Sequence, residues 1–227
     1  MKISKKTLEI LNNLSSLNMN FVFKEGKSQS SITTSKNRMV EVEFDEVFPS
    51  EFGVYDLKKF VKCVSNFEDP DLVFNENFVR ISDKNNEAVF SHTDKELLTY
   101  AKKSIIFPEP VAELSLDKES LKSLIKYSRL MEFNYLILES DGFQAVARIQ
   151  EKSDKFDNTF QVNLAMTDQA FKVAFTIKGL ELVEDDYLIS ISDKGICRFK
   201  SINSKLTYFL ATEKLVEGSI KEKVEAI

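Results

Sequence analysis

Hydrophobic and polar positions alternate along this chain in a way that predicts many short strands and a few amphipathic helices. Apolar residues recur at three- and four-residue spacing in four segments, which indicates helices. The predicted helices run from Ser4 to about Ser16, from Leu57 to about Phe67, from Asp117 to about Met131, and over a short stretch near Ile177–Val183. Strand-like runs bounded by turn residues fill most of the rest. This mixture predicts an α+β fold of mainly antiparallel sheet.

The pattern occurs twice. Ser4-Lys5-Lys6-Thr7-Leu8 reappears as Asp117-Lys118-Glu119-Ser120-Leu121, and the segment Val54–Phe60 is echoed by Ala174–Leu180. The offset between the copies is about 113 to 120 residues, which is a domain length and too long for a solenoid repeat. The sequence therefore predicts two similar domains in succession, each with two helices.

The boundary between these domains is placed by two prolines. Pro108 and Pro110 favour an extended, stiff connection, so residues 105–110 are predicted to be an interdomain crossover. The N-terminal domain is then 1–104 and the C-terminal domain 111–227. The tail from about residue 212 is charged and weakly patterned, and we predict that it is partly disordered.

Composition and charge limit the functional classes. The chain has 227 residues, 43% of them hydrophobic, and a net charge of −5, so two small cores are possible but strong global attraction to DNA is not expected. No apolar run reaches membrane-spanning length, and the N-terminus lacks a hydrophobic signal core. We therefore expect a cytoplasmic protein without a membrane partner.

Positive charge is nevertheless concentrated on two predicted helices. In the third helix, Lys118, Lys122, Lys126 and Arg129 fall within an arc of about 80°, and the apolar residues Leu121, Leu124, Tyr127, Leu130 and Met131 lie mostly on the other side. Lys58, Lys59 and Lys62 share one face of the second helix. Such faces can simply be solvated, but two of them in an acidic chain favour an anionic surface lying along both helices.

Catalytic and metal-binding patterns are weak. His92 is the only histidine, and we expect it to face solvent without a catalytic partner. The clusters Glu68–Asp71 and Glu184–Asp186 are expected to be solvated turns because neither has the spacing of a calcium loop. Cys63 and Cys197 are expected to be small core residues. We predict no enzyme activity, no cofactor and no metal site.

Four segments in a familiar order carry a family resemblance. They are Met1-Lys2-Ile3-Ser4-Lys5, Val54-Tyr55-Asp56-Leu57 with Phe60, Ile106-Phe107-Pro108, and Tyr187-Leu188 followed by Lys200 and Tyr208. In this order and spacing the chain resembles the DNA polymerase sliding clamps of T-even-type bacteriophages. The resemblance is thin across Glu151–Asn158 and after Thr212.

The resemblance implies a DNA-clamp fold assembled as a homotrimeric, pseudo-sixfold ring that encircles duplex DNA without regard to its sequence and tethers the replicative DNA polymerase. It further implies an ATP-driven clamp loader, sigma-like and co-activator proteins of late viral transcription as partners, and residence in the cytoplasm of the infected bacterial host. The DNA-facing residues it implies are Lys5, Lys6, Lys58, Lys59, Lys62, Lys118, Lys122, Lys126, Arg129 and Lys178.

The resemblance also implies a pocket for partner peptides beside the crossover, with a wall formed by Ile105, Ile106, Phe107, Pro108 and Val111. The simpler alternative is that these apolar residues pin the crossover to the core. At the level of the whole protein, two other classes stay open. One is a scaffold or virion interaction protein with solvated lysines, and the other is a metal-dependent nuclease that uses the acidic clusters.

Overall fold

A computed structural model describes residues 1–151 and 158–213, so most of the tail predicted to be disordered lies outside the described residues. The chain forms two compact units. The first contains Met1–Ile105 and Lys205–Tyr208, and the second contains Ile106–Ser204 and the chain from Phe209. The division between Ile105 and Ile106 lies within the segment that the sequence predicts to be the crossover.

The first unit contains two α-helices and seven strands. Its elements are α1 (Lys5–Leu17), β1 (Phe21–Phe23), β2 (Gly26–Ile32), β3 (Arg38–Phe48), β4 (Phe52–Val54), α2 (Leu57–Ser65), β5 (Asp71–Phe74), β6 (Phe78–Ser82), β7 (Glu87–Ser91) and a 3-10 helix (Lys95–Leu97). The strands pair antiparallel as β1 with β4, β2 with β3, and β5-β6-β7.

Phenylalanine rings fill the core of the first unit. The ring of Phe23 lies 4.8 Å from that of Phe48 and 5.6 Å from that of Phe60, so strands β1 and β3 and helix α2 meet at one point. Phe60 is fully buried, as are Leu11 and Leu14 of α1. Aromatic burial of this kind contributes more to stability per residue than aliphatic burial because each ring covers a large area.

Among its described residues, the second unit contains one α-helix and eight strands. Its elements are β8 (Ala112–Leu116), α3 (Lys118–Leu130), β9 (Tyr135–Asp141), β10 (Gln144–Gln150), β11 (Phe160–Met166), β12 (Ala170–Thr176), a 3-10 helix (Ile177–Gly179), β13 (Tyr187–Ile191), β14 (Ile196–Ser201) and β15 (Leu206–Ala211). Residues 206–208 of β15 belong to the first unit.

Helix α3 packs on a four-stranded antiparallel sheet of order β11-β10-β9-β12. Leu136 and Leu138 of β9 are buried, as are Ala147 and Ile149 on the neighbouring strand β10, which gives this face of the sheet an apolar surface. The ring of Tyr127 on α3 stacks on that of Phe160 of β11 at 4.1 Å. In the same unit, β13 pairs antiparallel with β8 on one side and β14 on the other.

The two units begin their helices in the same way. Ser4, the N-cap of α1, has φ −73° and ψ 156° and its hydroxyl accepts from Thr7 N at 3.2 Å. Asp117, the N-cap of α3, has φ −74° and ψ 158° and its carboxylate accepts from Ser120 N at 2.8 Å. An N-cap oxygen satisfies an amide that the helix leaves unpaired, so the repeated sequence text corresponds to a repeated local structure.

The fourth predicted helix differs from expectation. Where the sequence pattern predicts a helix near Ile177–Val183, the chain forms only a 3-10 helix over Ile177–Gly179. Gly179 weakens helix propagation, and the amide of Leu182 donates to the Leu180 carbonyl at 2.8 Å, which turns the chain away from a helical path. None of the helices in the described residues is long and apolar enough to cross a membrane.

Candidate nucleic-acid interface

The cationic residues predicted on α1 and α2 are all exposed, and the two helices pack against each other within the first unit. On α2, Lys58, Lys59 and Lys62 lie opposite a buried face formed by Leu57, Phe60, Val61 and Val64. Lys59 forms an ion pair with the N-cap carboxylate of Asp56 at 3.5 Å. The other two α2 lysines present their charge to solvent.

Lys5 and Lys6 lie in the first turn of α1, where the helix dipole disfavours positive charge. Glu46 of β3 offsets this by accepting from the Ser4 amide at 2.6 Å and from the Thr7 hydroxyl at 2.7 Å. Burial alone would raise the pKa of Glu46, but these hydrogen bonds leave it lower than usual. The Glu46 carboxylate of β3 thus stabilises the N-terminus of α1, and both lysines stay exposed.

Helix α3 has the arrangement that the sequence predicts, with one correction. Leu121 and Leu124 are buried, and Lys126 and Arg129 are exposed. Leu130, which periodicity placed among the core residues, is 71% exposed. The helix ends at Leu130 and the chain reverses at Glu132, where φ is 57°, so Phe133 becomes the buried residue after this helix end.

Two carboxylates lie on the cationic face of α3. Lys122 Nζ is 3.3 Å from Glu119 and 3.5 Å from Glu184, and Lys118 Nζ is 3.9 Å from Glu184. The hydrogen bond to Glu119, followed by the charges of both carboxylates, raises the pKa of Lys122. Among the described residues no carboxylate forms an ion pair with Lys126, whose ammonium lies 5.9 Å from the Tyr127 ring centre.

Lys178, the last predicted DNA-facing residue, is exposed on the 3-10 helix. All ten predicted cations are therefore on helices or on this turn, and eight of them are exposed while Lys118 and Lys122 are half-buried. Glu119 and Glu184 are not among the site residues predicted from the sequence. The spacing of Glu119 and Lys122 could have shown the first contact, whereas the Glu184 contacts depend on tertiary structure.

The predicted peptide-pocket residues lie in contrasting surroundings. Ile106 is 96% exposed, whereas the half-buried Phe107 ring lies 6.3 Å from that of Phe209 and beneath the Arg198 guanidinium at 4.8 Å. Ile105 and Pro108 are half-buried. Val111 is 46% exposed, and its amide donates to the Ile191 carbonyl at 2.8 Å. Phe107 therefore packs on the second unit, and Ile106 offers an apolar side chain to solvent.

The acidic turn at Glu184–Asp186 is not simply solvated, which corrects the sequence interpretation. Asp185 is only 8% exposed and accepts hydrogen bonds from the hydroxyls of Ser201 and Ser204 and, at 2.6 Å, from Asn203 Nδ2. Burial tends to raise the pKa of Asp185, but these donors together leave it lower than usual. The turn is thus a fixed element whose middle residue anchors it to the β14–β15 connection.

His92 also differs from the expectation of a solvent-facing residue. It is half-buried, its ring centre lies 5.1 Å from that of Phe52, and Nδ1 is 3.0 Å from the Glu76 carbonyl oxygen. These contacts are those of a packed side chain. In the part of the chain that the structure describes, no group of three or more His, Cys, Asp or Glu side chains could hold a metal ion.

Solved structures show which class of protein has this fold. The chain superimposes on the A. fulgidus PCNA bound to the C-terminal region of FEN-1 with a TM-score of 0.71, covering 93% of this chain and 96% of that chain at 15% identity. For the DNA polymerase III subunit beta of Borrelia burgdorferi the TM-score is 0.72, with 95% and 64% coverage and 15% identity. The molecule has the DNA-clamp fold, which confirms the predicted fold class.

Sequence comparison then shows which family the chain resembles. Residues 2–101 match the family model described as DNA polymerase processivity factor. The sliding clamp of Vibrio phage KVP40 is 28% identical over 95% of this chain and 100% of its own length, and that of Escherichia phage RB69 is 22% identical over 94% and 97%. The chain is thus similar to phage sliding clamps over nearly its whole length, and its first 101 residues are similar to DNA polymerase processivity factors. The predicted resemblance is confirmed.

Proposed function

We propose that this protein is a sliding clamp, a homotrimeric ring that encircles duplex DNA and holds the replicative polymerase on it. The observation that carries the proposal is the segregation of charge. A chain with a net charge of −5 exposes cations along one face of α2 and of α3 and in the first turn of α1, the three α-helices of the described residues. Cations ordered along helices suit a phosphate backbone, which presents negative charge at regular intervals and no sequence-specific contact.

The acidic total is compatible with this role because enclosure, rather than affinity, would retain the protein. A ring closed around a duplex leaves only at a free end, so weak electrostatic contact is sufficient. Weak contact is also favourable for movement along the duplex, since strong phosphate neutralisation would slow it. The half-neutralised face of α3 fits this requirement.

Open sheet edges support assembly into a ring. In the first unit the outer strand β5 is covered by Met1, whose carbonyl accepts from the Leu72 amide at 2.8 Å, and in the second unit Glu213 N donates to Ala174 of β12 at 2.8 Å. The opposite edge strands, β7 and β11, have no such covering segment among the described residues. We propose that β7 of one protomer pairs with β11 of the next, which would extend both sheets.

The crossover is the proposed docking site for the polymerase. Ile106 supplies an exposed apolar side chain beside the ordered Phe107, and the A. fulgidus PCNA was solved with the C-terminal region of FEN-1 bound to it. We extend the proposal to an ATP-driven loader that opens the ring, to sigma-like and co-activator proteins of late transcription, and to the cytoplasm of the infected bacterial host. These parts rest on the resemblance to T-even clamps.

Retention on DNA of different topology tests encirclement. After loading, the protein should stay on nicked circular duplex in salt that strips simple binders, and it should leave the same DNA once that DNA is linearised. The measurement is the amount of protein that elutes with DNA in gel filtration at high salt. Equal retention on circles and on linear molecules would contradict encirclement and favour a scaffold that binds DNA laterally.

Charge reversal on α3 tests the DNA-facing surface. Lys122→Glu with Lys126→Glu should leave the fold unchanged but reduce loading or polymerase processivity severalfold, measured by product length on a primed circle. Lys36→Glu with Lys84→Glu is the matched control because both of these lysines are exposed in turns of the first unit and belong to no helix. If the α3 double variant keeps the processivity of the wild type, as the control should, the α3 face does not contact DNA.

A further inference from the structure

Glu184 stands over the cationic face of α3 in a fixed position. Its carboxylate is 3.9 Å from Lys118 Nζ and 3.5 Å from Lys122 Nζ, although it is 66 residues further along the chain than Lys118. The Glu184 side chain is 62% exposed, so the ion pairs are accessible to other ions. In isolation such surface pairs contribute little to stability. The notable feature of these ion pairs is their position on the face of α3 that is proposed to contact DNA.

The turn that carries Glu184 is anchored on both sides. Asp185, the next residue, is buried and accepts from Ser201, Asn203 and Ser204. Asp186 accepts from the amide of Lys118 at 2.7 Å, which ties the turn directly to the first turn of α3. The hydroxyl of Tyr187 donates to the Val183 carbonyl at 2.6 Å, which joins the two ends of the turn.

This construction keeps the Glu184 backbone beside the two lysines, so that only the side chains have to be ordered when the ion pairs form. Glu119 adds a second carboxylate at 3.3 Å from Lys122. By contrast, the described residues place no comparable carboxylate from another element over Lys58 or Lys62 of α2, where only Asp56 pairs with Lys59.

We propose that Glu184 is an internal counter-ion that occupies Lys118 and Lys122 in place of DNA phosphate, and so lowers static affinity for duplex in favour of mobility. The inference rests on the proposed function, since it requires that α3 faces DNA. Its chemical basis is competition: a phosphate oxygen and the Glu184 carboxylate need the same ammonium groups. A phosphate that approaches Lys118 or Lys122 must therefore displace the Glu184 carboxylate before it can bind the ammonium group.

Salt-dependent binding to a short linear duplex, measured by fluorescence anisotropy with the full-length protein, tests this competition. Glu184→Gln removes the negative charge and keeps the shape. If one lysine becomes available to phosphate, the slope of log K against log salt should steepen by about 1, and affinity at low salt should rise about threefold. Adding Lys118→Ala to Glu184→Gln should remove most of that gain.

Glu51→Gln is the matched control. It makes the same charge change and frees Lys95, which is paired with Glu51 at 2.7 Å on a 3-10 helix that is not among the proposed DNA-facing elements. The control should leave the slope at the wild-type value. If Glu51→Gln and Glu184→Gln steepen the slope equally, the effect is one of net charge and the counter-ion role is overturned.

Lys126→Ala separates failure of the inference from failure of the proposed function, because Lys126 lies on the same face and has no carboxylate partner among the described residues. A flatter slope for Lys126→Ala together with a wild-type slope for Glu184→Gln would keep the DNA-facing surface and overturn the counter-ion. A wild-type slope for both variants would overturn the DNA-facing assignment of α3 as well.

Discussion

Asp185 and Cys197 are titratable residues that are both buried in the structure. Asp185 lies in an acidic run that looks solvated, yet it is buried and takes its donors from residues 16 to 19 positions further along the chain. Cys197 is fully buried, and burial raises its pKa to about 12. For Cys197 the sequence prediction of a core residue is correct, whereas for Asp185 no local signal indicates the partners.

Replacing Asp185 tests the buried network. Asp185→Asn should lower the free energy of unfolding by about 1–3 kcal/mol at pH 7, because an amide cannot accept from all the donors that the carboxylate satisfies. The folded-state pKa is lowered, so the stabilisation is present above the unfolded pKa of about 3.9 and is lost as the pH falls through the folded value. The difference between wild type and variant in urea unfolding should therefore shrink below about pH 4.

Asp193→Asn makes the same charge change in an exposed turn, where the carboxylate pairs with Lys194. It should leave stability within about 0.5 kcal/mol of wild type at every pH. A pH-independent loss for Asp185→Asn would show that the residue matters for packing and not as a carboxylate.

The two thiols should differ in reactivity. At pH 8 the native protein should react with a thiol reagent at Cys63 and not at Cys197, because Cys63 is half-buried whereas Cys197 is buried and almost entirely protonated. Burial also raises the pKa of Cys63, so its reaction should be slower than that of a free thiol. Mass spectrometry of labelled peptides measures this, with both thiols reacting in urea. Fast labelling of Cys197 in the native state would mean that β14 opens readily.

At the scale of elements, capping and amphipathic periodicity account for most of the helices. Ser4, Asp56 and Asp117 precede α1, α2 and α3 and cap them through their side chains. The prediction of a fourth helix was wrong because Gly179 and the anchored turn at Asp185 override a short apolar pattern. Leu130 was misplaced for a similar reason, since the position of a helix end decides which residues of the last turn reach the core.

The cap of α3 gives an element-scale prediction. Asp117→Ala should destabilise the protein by about 1 kcal/mol because it leaves the Ser120 amide without its acceptor, which now lies at 2.8 Å. Asp117→Ser should recover most of this loss, since serine caps helices nearly as well as aspartate. Thermal unfolding of the three proteins measures the effect. A serine variant as unstable as the alanine variant would assign the loss to the charge instead of the cap.

At the scale of the whole molecule, the open edges β7 and β11 connect the fold to its proposed assembly. A strand edge with unpaired amides and carbonyls is a template for another chain, so natural proteins either cover it or use it. Met1 and Glu213 lie against the other outer strands of these two sheets, β5 and β12. A head-to-tail ring joins two different surfaces of each copy, and the outer edges of β7 and β11 would supply these two surfaces.

Val89→Asp tests this use of the β7 edge. Val89 is 57% exposed on β7, and a carboxylate there should shift the mass in light scattering from that of the proposed trimer, about three protomers of 26.0 kDa, towards the monomer. Val47→Asp on β3 is the control because the residue is the same type and is 58% exposed. Trimer mass for both variants would exclude β7 from the interface, and dissociation of both would indicate a general effect of charge.

The sequence by itself determined the α+β class, the repeated helix starts and the cationic helix faces, because these depend on residues within a few positions of one another. Only the tertiary structure decided that Glu184 lies over Lys122, that Asp185 is buried and that Phe107 packs beneath Arg198. Each of these contacts joins residues between 16 and 91 positions apart in the chain. No local periodicity encodes such pairs, since their distance depends on how the strands between them pair and turn.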